Sequence, residues 1–237
     1  MSNRFLTRRN VLSGFAATSI AAVSGLTLST ARGRAFTQTS TLETATTADL
    51  RLEWREIYNG RLLESTNGTA SEAPDGPVIS LGNILPADTG SLSVRLQISP
   101  EGDDSESDLA IAPTLTLTPT TEFSSPGLQE YIQSAIWYDT GTFDVEAFGA
   151  ENSDRDPGEQ LVHPEANGSL GTVLTALESG VTLDASPGRP GSDCLTSENS
   201  VTITFGWSFP PDQPNINAVQ GDSVGFDIQF AAVACQT

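Results

Sequence analysis

The sequence has 237 residues and a formal net charge of −19, with 11 basic residues against 30 acidic ones. Every basic residue is an arginine and five of them precede residue 36, where no acid occurs, so six arginines stand against 30 acids in the rest of the chain. Charge of this sign excludes a large phosphate-neutralising surface, and with it nucleic acid and anionic lipid as partners.

The first 35 residues carry the pattern of an export signal. The run Thr7-Arg8-Arg9-Asn10-Val11-Leu12 resembles the twin-arginine translocation motif, and an uncharged stretch follows to Thr30. That stretch is rich in Ala, Ser, Gly and Thr, whereas a spanning helix needs about 20 strongly apolar residues. We therefore predict cleavage after Ala31 or Ala35, twin-arginine export to the cell surface or extracellular space, and no transmembrane anchor in the mature protein.

The acidity of the remaining chain is typical of proteins that work in high salt. Screening over a few ångströms relaxes the self-repulsion of so many carboxylates, and export in folded form suits a salt-rich cytoplasm. A generic acidic secreted protein is the alternative.

Residues 36–49 form a polar, threonine-rich extension without glycine. Such a segment has β-propensity but little apolar surface of its own, so it is either a flexible leader or a strand added to an exposed sheet edge. We assign the possible intersubunit strand to seven residues: Phe36, Thr37, Gln38, Thr39, Ser40, Thr41 and Leu42.

Residues 50–237 are predicted to form an all-β, jelly-roll-like sandwich of two sheets. Apolar and polar residues alternate in 50–54, 91–98, 201–209 and 224–232, and at least seven strands are separated by turn signals. We expect 55–77 to be a polar turn region, and Pro113 to separate two short strands. One short amphipathic helix is predicted from Leu170 to Leu177, with Ser169 as its N-cap and Gly180 as its stop.

Two cysteines remain after the leader. Outside the cell, Cys194 and Cys235 are most simply one disulfide, worth about 3–4 kcal/mol in the chain-entropy model. A metal site built from them and His163, the one histidine, is the alternative. The sequons at Asn67 and Asn167 are candidate glycosylation sites in polar turns.

Two runs of carboxylates interrupt the strand pattern, at 103–108 and at 154–159. Calcium takes oxygen ligands from flexible loops, so Asp154, Asp156 and Glu159 are candidate calcium ligands, with solvated loops as the alternative. No other cofactor is expected. The chain lacks a His-Glu-x-x-His, Gly-x-Ser-x-Gly or phosphate-loop motif, and His163 fits a surface loop, so we predict that the protein is not an enzyme.

Several stretches together resemble the TasA/camelysin family of secreted proteins, in the form found in haloarchaea. Ala35-Phe36, the polar run and Ala48-Asp49-Leu50-Arg51-Leu52 are similar to the start of its mature chains, with Thr47-Ala48 in place of Gly-Thr. Further similar segments are 81–90, with Ala87 where glycine is usual, 168–180, 207–210 and 220–227. The resemblance implies a jelly-roll domain at the cell surface or in the matrix.

In assembling members of that family, the N-terminal segment of one subunit inserts as a strand into the next. The resemblance therefore implies a homopolymer, a cell-surface or biofilm-matrix filament grown by head-to-tail strand donation. Camelysin is described as a metallopeptidase, but this chain has no zinc-binding triad, so that activity is not carried over. The alternative function is a monomeric carbohydrate-binding or adhesive sandwich that uses exposed aromatic residues such as Trp137 and Tyr138.

Overall fold

Alternating apolar and polar residues fold into two antiparallel sheets that enclose an apolar interior. The computed structural model describes residues 36–42, 49–63, 70–73, 76–99, 110–141, 150–188 and 194–235, all within one compact unit that spans 31–237. The leader, the sequon at Asn67 and the acidic run 103–108 lie outside the described residues. The prediction of an all-β, two-sheet sandwich is confirmed.

The described strands number 12. In chain order they are β1 (Gln38–Leu42), β2 (Asp49–Tyr58), β3 (Arg61–Leu63), β4 (Ala70–Ala73), β5 (Gly76–Gly82), β6 (Thr89–Ser99), β7 (Ile111–Pro119), β8 (Gln133–Tyr138), β9 (Asn167–Ser169), β10 (Val181–Thr182), β11 (Ser200–Ser208) and β12 (Ser223–Ala234). The seven-stranded sheet has the order β1-β2-β6-β11-β8-β9, with β3 also paired to β2, and the five-stranded sheet has the order β10-β7-β12-β5-β4. Successive long strands mostly pass from one sheet to the other, which gives the jelly-roll-like wrapping.

The core lies between the two sheets and is built from the inward residues of each strand. On β2 these include Leu50, Leu52 and Trp54, all buried. Phe205 of one sheet and Phe226 of the other meet edge to face, with ring centroids 5.3 Å apart. Edge-to-face aromatic pairs add about 0.5–1.5 kcal/mol beyond the area they bury. The contact therefore ties the two sheets together near the centre.

Helix α2 (Leu170–Leu177) confirms the predicted amphipathic helix. The Ser169 hydroxyl accepts a hydrogen bond from the Thr172 amide at 3.3 Å, which satisfies one free amide of the first turn. The leucine and valine residues of the helix are buried, and the helix packs against β7 and β8, one strand from each sheet. Two shorter elements complete the fold, α1 (Leu128–Tyr131) and a 3-10 turn (Ile216–Val219).

The structure contradicts two of the local predictions. The region 55–77 is not one polar turn, because β2 continues to Tyr58, β3 and β4 follow, and β5 begins at Gly76. Pro113 does not divide two strands either; it lies inside β7 opposite Ala232 of β12. The Pro113 carbonyl accepts from the Leu183 amide at 2.8 Å, on the side away from β12. Because N–H and C=O of one residue point to the same side, the missing N–H removes no bond to β12.

Cys194 and Cys235 form the predicted disulfide. It joins the segment before β11 to the end of β12, so it fastens the last described strand to the rest of the domain. The described part of the chain contains no helix that is both long and apolar enough to cross a membrane.

Candidate assembly site at the edge of β2

The threonine-rich N-terminal segment forms an edge strand on its own chain. β1 pairs antiparallel with β2 in a register that places Gln38 opposite Trp54 and Leu42 opposite Leu50. The ladder is extended by the Thr37 amide, which donates to the Trp54 carbonyl at 3.0 Å. Beyond this point the same edge of β2 is covered by β3. We call the edge of β2 along Leu50–Trp54, which β1 occupies, the β2 slot.

β1 adds little to the apolar interior. Its residues alternate between partly buried and exposed, and only Leu42 packs against the core. The other four are Gln38, Thr39, Ser40 and Thr41, whose contribution is backbone pairing rather than apolar burial. The core residues on β2 are buried in a sheet that includes β1 as its edge strand. β1 therefore covers this edge mainly through backbone pairing and adds one partly buried side chain, Leu42, to the core.

Phe36 holds the start of this cover in place. Its ring lies against two guanidinium groups, with the Arg55 and Arg95 carbon atoms 4.5 and 4.3 Å from the ring centroid. A cation on an aromatic face is worth about 0.5–2 kcal/mol, more when water is excluded. We call Arg55 and Arg95 the arginine seat. Only Phe36 carries an aromatic ring in that segment, so we expect this contact to help set the register of β1.

Sheet register brings the polar residues beneath the seat together. On the face of the seven-stranded sheet that points away from the core, Arg55, Ser93 and Thr204 stand side by side on β2, β6 and β11. The next row on the same face consists of Glu53, Arg95 and Thr202. Residues directly opposite on one face are close enough for side chains to touch. Each arginine thus has polar neighbours supplied by strands distant in sequence.

Arg55 is a buried cation, with 1 % of its surface exposed. Its Nε donates to the Ser153 hydroxyl at 3.0 Å, its Nη2 donates to the Glu151 carbonyl, and Nη2 lies 3.9 Å from the Asp139 carboxylate. A buried charge without such partners would cost several kcal/mol, about 3–5 when one member of a pair is removed. The partners come from the end of β8 and from the loop that follows it.

Asp139 organises that loop. Its carboxylate accepts from the Asn152 and Ser153 amides at 3.1 and 2.9 Å and from the Thr204 hydroxyl at 2.9 Å. Burial raises the pKa of Asp139 above its ordinary value, opposed by these hydrogen bonds and by Arg55. Glu151 and Ser153 adopt left-handed backbone conformations, with φ of 56° and 69°. Such conformations persist where the surroundings fix them, and here the loop is fixed against the sheet.

Arg95 is the more accessible half of the seat, with 27 % of its side chain exposed. It forms a bidentate pair with Glu151, of which the Nε to Oε1 bond is 2.8 Å, and a longer contact of 3.4 Å to Glu53. Glu151 also accepts from the Thr202 hydroxyl at 2.8 Å. The seat therefore combines one buried and one partly exposed arginine, both already neutralised by carboxylates.

The candidate calcium ligands take part in this loop instead of facing one another. The Glu159 carboxylate accepts from the Gly141 and Asp156 amides, both at 2.8 Å, and burial raises the pKa of Glu159 to about 7. Asp156 accepts from the Asn152 side chain at 2.8 Å, and Asp154 is exposed. Within the described ranges no three His, Cys, Asp or Glu side chains form a group that could hold a metal ion. Calcium binding stays a prediction.

The aromatic residues of the alternative function are not exposed. Trp137 and Tyr138 are each 4 % exposed. The Trp137 ring contacts Gly206, where an added Cβ would come within 2.6 Å of it, and the Tyr138 hydroxyl accepts from the Asp184 amide at 2.8 Å. They offer no aromatic surface on which a sugar could stack. Asn167 is exposed on β9 and open to modification.

A shallow groove of about 440 Å³ lies beside the seat on the same face of the sheet. Its lining includes Ile57, Ser91, Trp137, Arg155 and Asn167. His163 is partly exposed, and its Nδ1 accepts from the Glu165 amide at 3.2 Å. Neither place brings together a nucleophile, a base and an orienting group.

The predicted intersubunit strand thus lies at a defined edge, but the residues that receive its first side chain were missed. No sequence motif marks these residues, which are Arg55, Arg95, Asp139 and Glu151. The one signal is polar alternation along β2 and β6, which identifies the outward face of each strand but not which residues contact one another there. Comparison with protein-family models, curated proteins and solved structures finds no match for this chain.

Proposed function

We propose that this protein is a secreted structural protein that forms cell-surface or matrix filaments by strand donation. Residues 36–42 of one subunit would occupy the β2 slot of the next, with the donated Phe36 on the acceptor's arginine seat. Export through the twin-arginine leader would deliver the folded domain outside the cell, where the Cys194–Cys235 disulfide is stable. The polymer is built from this chain alone and needs no cofactor.

One observation carries the proposal: β1 and Phe36, which we call the docking unit, make little apolar contact with the core. The unit is held by a backbone ladder along Leu50–Trp54 and by the two cation–π contacts, and it adds one side chain, Leu42, to the interior. Main-chain pairing gives affinity and a seated side chain gives register, as in other strand-addition complexes. A second copy of the unit would make the same contacts.

A donated β1 makes the same contacts as the subunit's own β1, so exchange leaves the pairing energy unchanged. Protein concentration and the connection to β2 therefore decide whether β1 occupies its own slot or that of another subunit. A segment that leaves its own slot and fills another's makes a heterologous contact, which need not close and then gives a fibre. The strongly acidic surface opposes the approach of subunits, so we expect assembly to be favoured by molar salt.

The test is negative-stain microscopy of the exported protein, concentrated in molar salt. We expect filaments from the unaltered chain and folded monomers from Thr39→Pro/Ser40→Pro. Adjacent residues direct their N–H groups to opposite sides of a strand, so one of the two prolines must remove a donor that faces β2. The matched control is Thr39→Ala/Ser40→Ala, which keeps both donors and should form filaments. Equal filament formation by the two double variants would contradict the proposal.

A further inference from the structure

The last residue of β1 and the first residues of β2 lie at the same end of the domain. Leu42, the last residue of β1, lies opposite Leu50, the second residue of β2. The connection between the strands is residues 43–48. Fully extended, the chain from residue 42 to residue 49 spans at most about 25 Å. We call the end of the sandwich at Leu42 and Asp49 the hinge end.

This short connection limits where an exchanging subunit can be. When a donated β1 occupies an acceptor's slot, its Leu42 lies at the acceptor's hinge end. The donor's own β2 begins at Asp49, at the donor's hinge end. The two hinge ends must then lie within about 25 Å of each other. A domain of this length is about 40 Å across by the scaling of compact chains, so the two bodies face each other through their hinge ends.

We infer that strand exchange through the β2 slot closes first into a reciprocal pair of two subunits with two-fold symmetry. The inference rests on the proposed function, since it concerns the same slot and the same segment. After the first strand has crossed, the vacated slot of the donor and the free segment of the acceptor are held at adjacent hinge ends. The second exchange is then intramolecular, at an effective concentration of about 1 mM for a short connection.

A third subunit competes with this closure only when its own concentration approaches that value. The pair satisfies both slots and both segments through one isologous interface, whereas a filament needs two neighbours at each hinge end. The partner is therefore a second copy of this chain, and filaments grow where the exported protein is concentrated to about the millimolar range. At lower concentrations the reciprocal pair is the main exchanged species.

A cysteine pair across the slot distinguishes the species. Thr41 and Arg51 are opposite each other and both exposed. In the exported Thr41→Cys/Arg51→Cys variant, oxidation links residue 41 to residue 51 of whichever chain provides the slot. An unexchanged monomer is linked internally, and a reciprocal pair becomes a covalent dimer with two disulfide bonds. A filament gives a ladder of covalent oligomers on a denaturing, non-reducing gel. The variant is brought to equilibrium in molar salt at about 10 µM and about 1 mM, on either side of the effective concentration.

We expect covalent dimers to be the main linked oligomer at the lower concentration and a ladder to appear at the higher one. A ladder of trimers and longer species at the lower concentration, without an excess of dimer, would overturn the inference and leave the proposed function standing. Internally linked monomer alone at both concentrations would overturn the proposed function as well. The matched control is Thr114→Cys/Thr182→Cys, opposite each other on β7 and β10, which must give internal links only.

Discussion

The first and last described strands are held in opposite ways. β12 lies between β7 and β5, buries Phe226 and Phe230, and is followed by a disulfide to Cys194. β1 lies at a sheet edge, adds Leu42 to the core and depends on backbone pairing and the seat for Phe36. The disulfide alone is worth about 4 kcal/mol in the chain-entropy model. Stability is therefore concentrated in the last strand, whereas few contacts hold the first strand.

The largest loss of stability should come from truncating a buried side chain of β12. Phe226→Ala removes a fully buried ring and its edge-to-face contact with Phe205, and we expect the free energy of unfolding to fall by about 3–5 kcal/mol. The matched change in β1 is Leu42→Ala. Because Leu42 is only partly buried, we expect a loss of about 1 kcal/mol or less. Urea unfolding of both variants measures the difference, and equal losses would show that β1 belongs to the core.

The second prediction separates the two halves of the arginine seat. Arg55→Ala leaves the buried Asp139 carboxylate without its cation, so we expect a loss of about 3–5 kcal/mol in the free energy of unfolding. Arg95→Ala removes a partly exposed ion pair, for which we expect about 1 kcal/mol or less. Both variants lose a contact with Phe36. Similar losses from the two substitutions would mean that the buried position of Arg55 does not matter.

A smaller effect is expected from pH. Burial raises the pKa of Glu159 from 4.5 to about 7, so the folded state holds this proton more tightly than the unfolded state does. Its stabilising contribution is complete below about pH 4.5 and is lost as the pH rises through about 7. Asp139, whose pKa burial also raises, acts in the same direction. Stability should therefore fall between about pH 5 and pH 8.

Glu159→Gln isolates this contribution, because the amide cannot titrate while its oxygen still accepts one of the two backbone bonds. Thermal melting of both proteins at pH 5 and pH 8 is the measurement. We expect the melting temperature of the unaltered protein to fall more between the two pH values than that of the variant. An identical fall would assign the pH dependence to the general acidity of the chain.

The fold could be predicted because its signals are local. Alternation along 50–54, 91–98, 201–209 and 224–232 appears within single strands, and the helix at Leu170 carries its own cap in Ser169. The prediction at Pro113 failed because the outcome depends on a residue distant in sequence. The sequence predicts two strands separated by Pro113, because it does not reveal which side of β7 the missing N–H would face. The answer depends on the Leu183 amide, 70 positions further along the chain.

The arginine seat could not be predicted, because it exists only through sheet register. Ser93 meets Thr204 at 2.7 Å and Ser153 at 2.7 Å, although these residues are 111 and 60 positions away from it. No spacing rule joins such positions, and a shift of one residue in β6 would turn Ser93 and Arg95 into the core. The N-terminal segment was identified by what it lacks, apolar surface. The arginine seat that receives Phe36 could be identified only from the three-dimensional structure.

The smallest effect that we expect is on the local opening of β1. Phe36→Ala removes both cation–π contacts, about 1–2 kcal/mol together, without touching the core. We expect global unfolding to be unchanged and β1 to open more often as a local unit, so hydrogen exchange at the amides of 38–42 should accelerate about tenfold. Phe36→Tyr keeps an aromatic face and should keep the slow exchange of the unaltered chain. If Phe36→Ala leaves the exchange of these amides unchanged, the backbone ladder alone retains β1, and the seat has no part in choosing the strand that fills the slot.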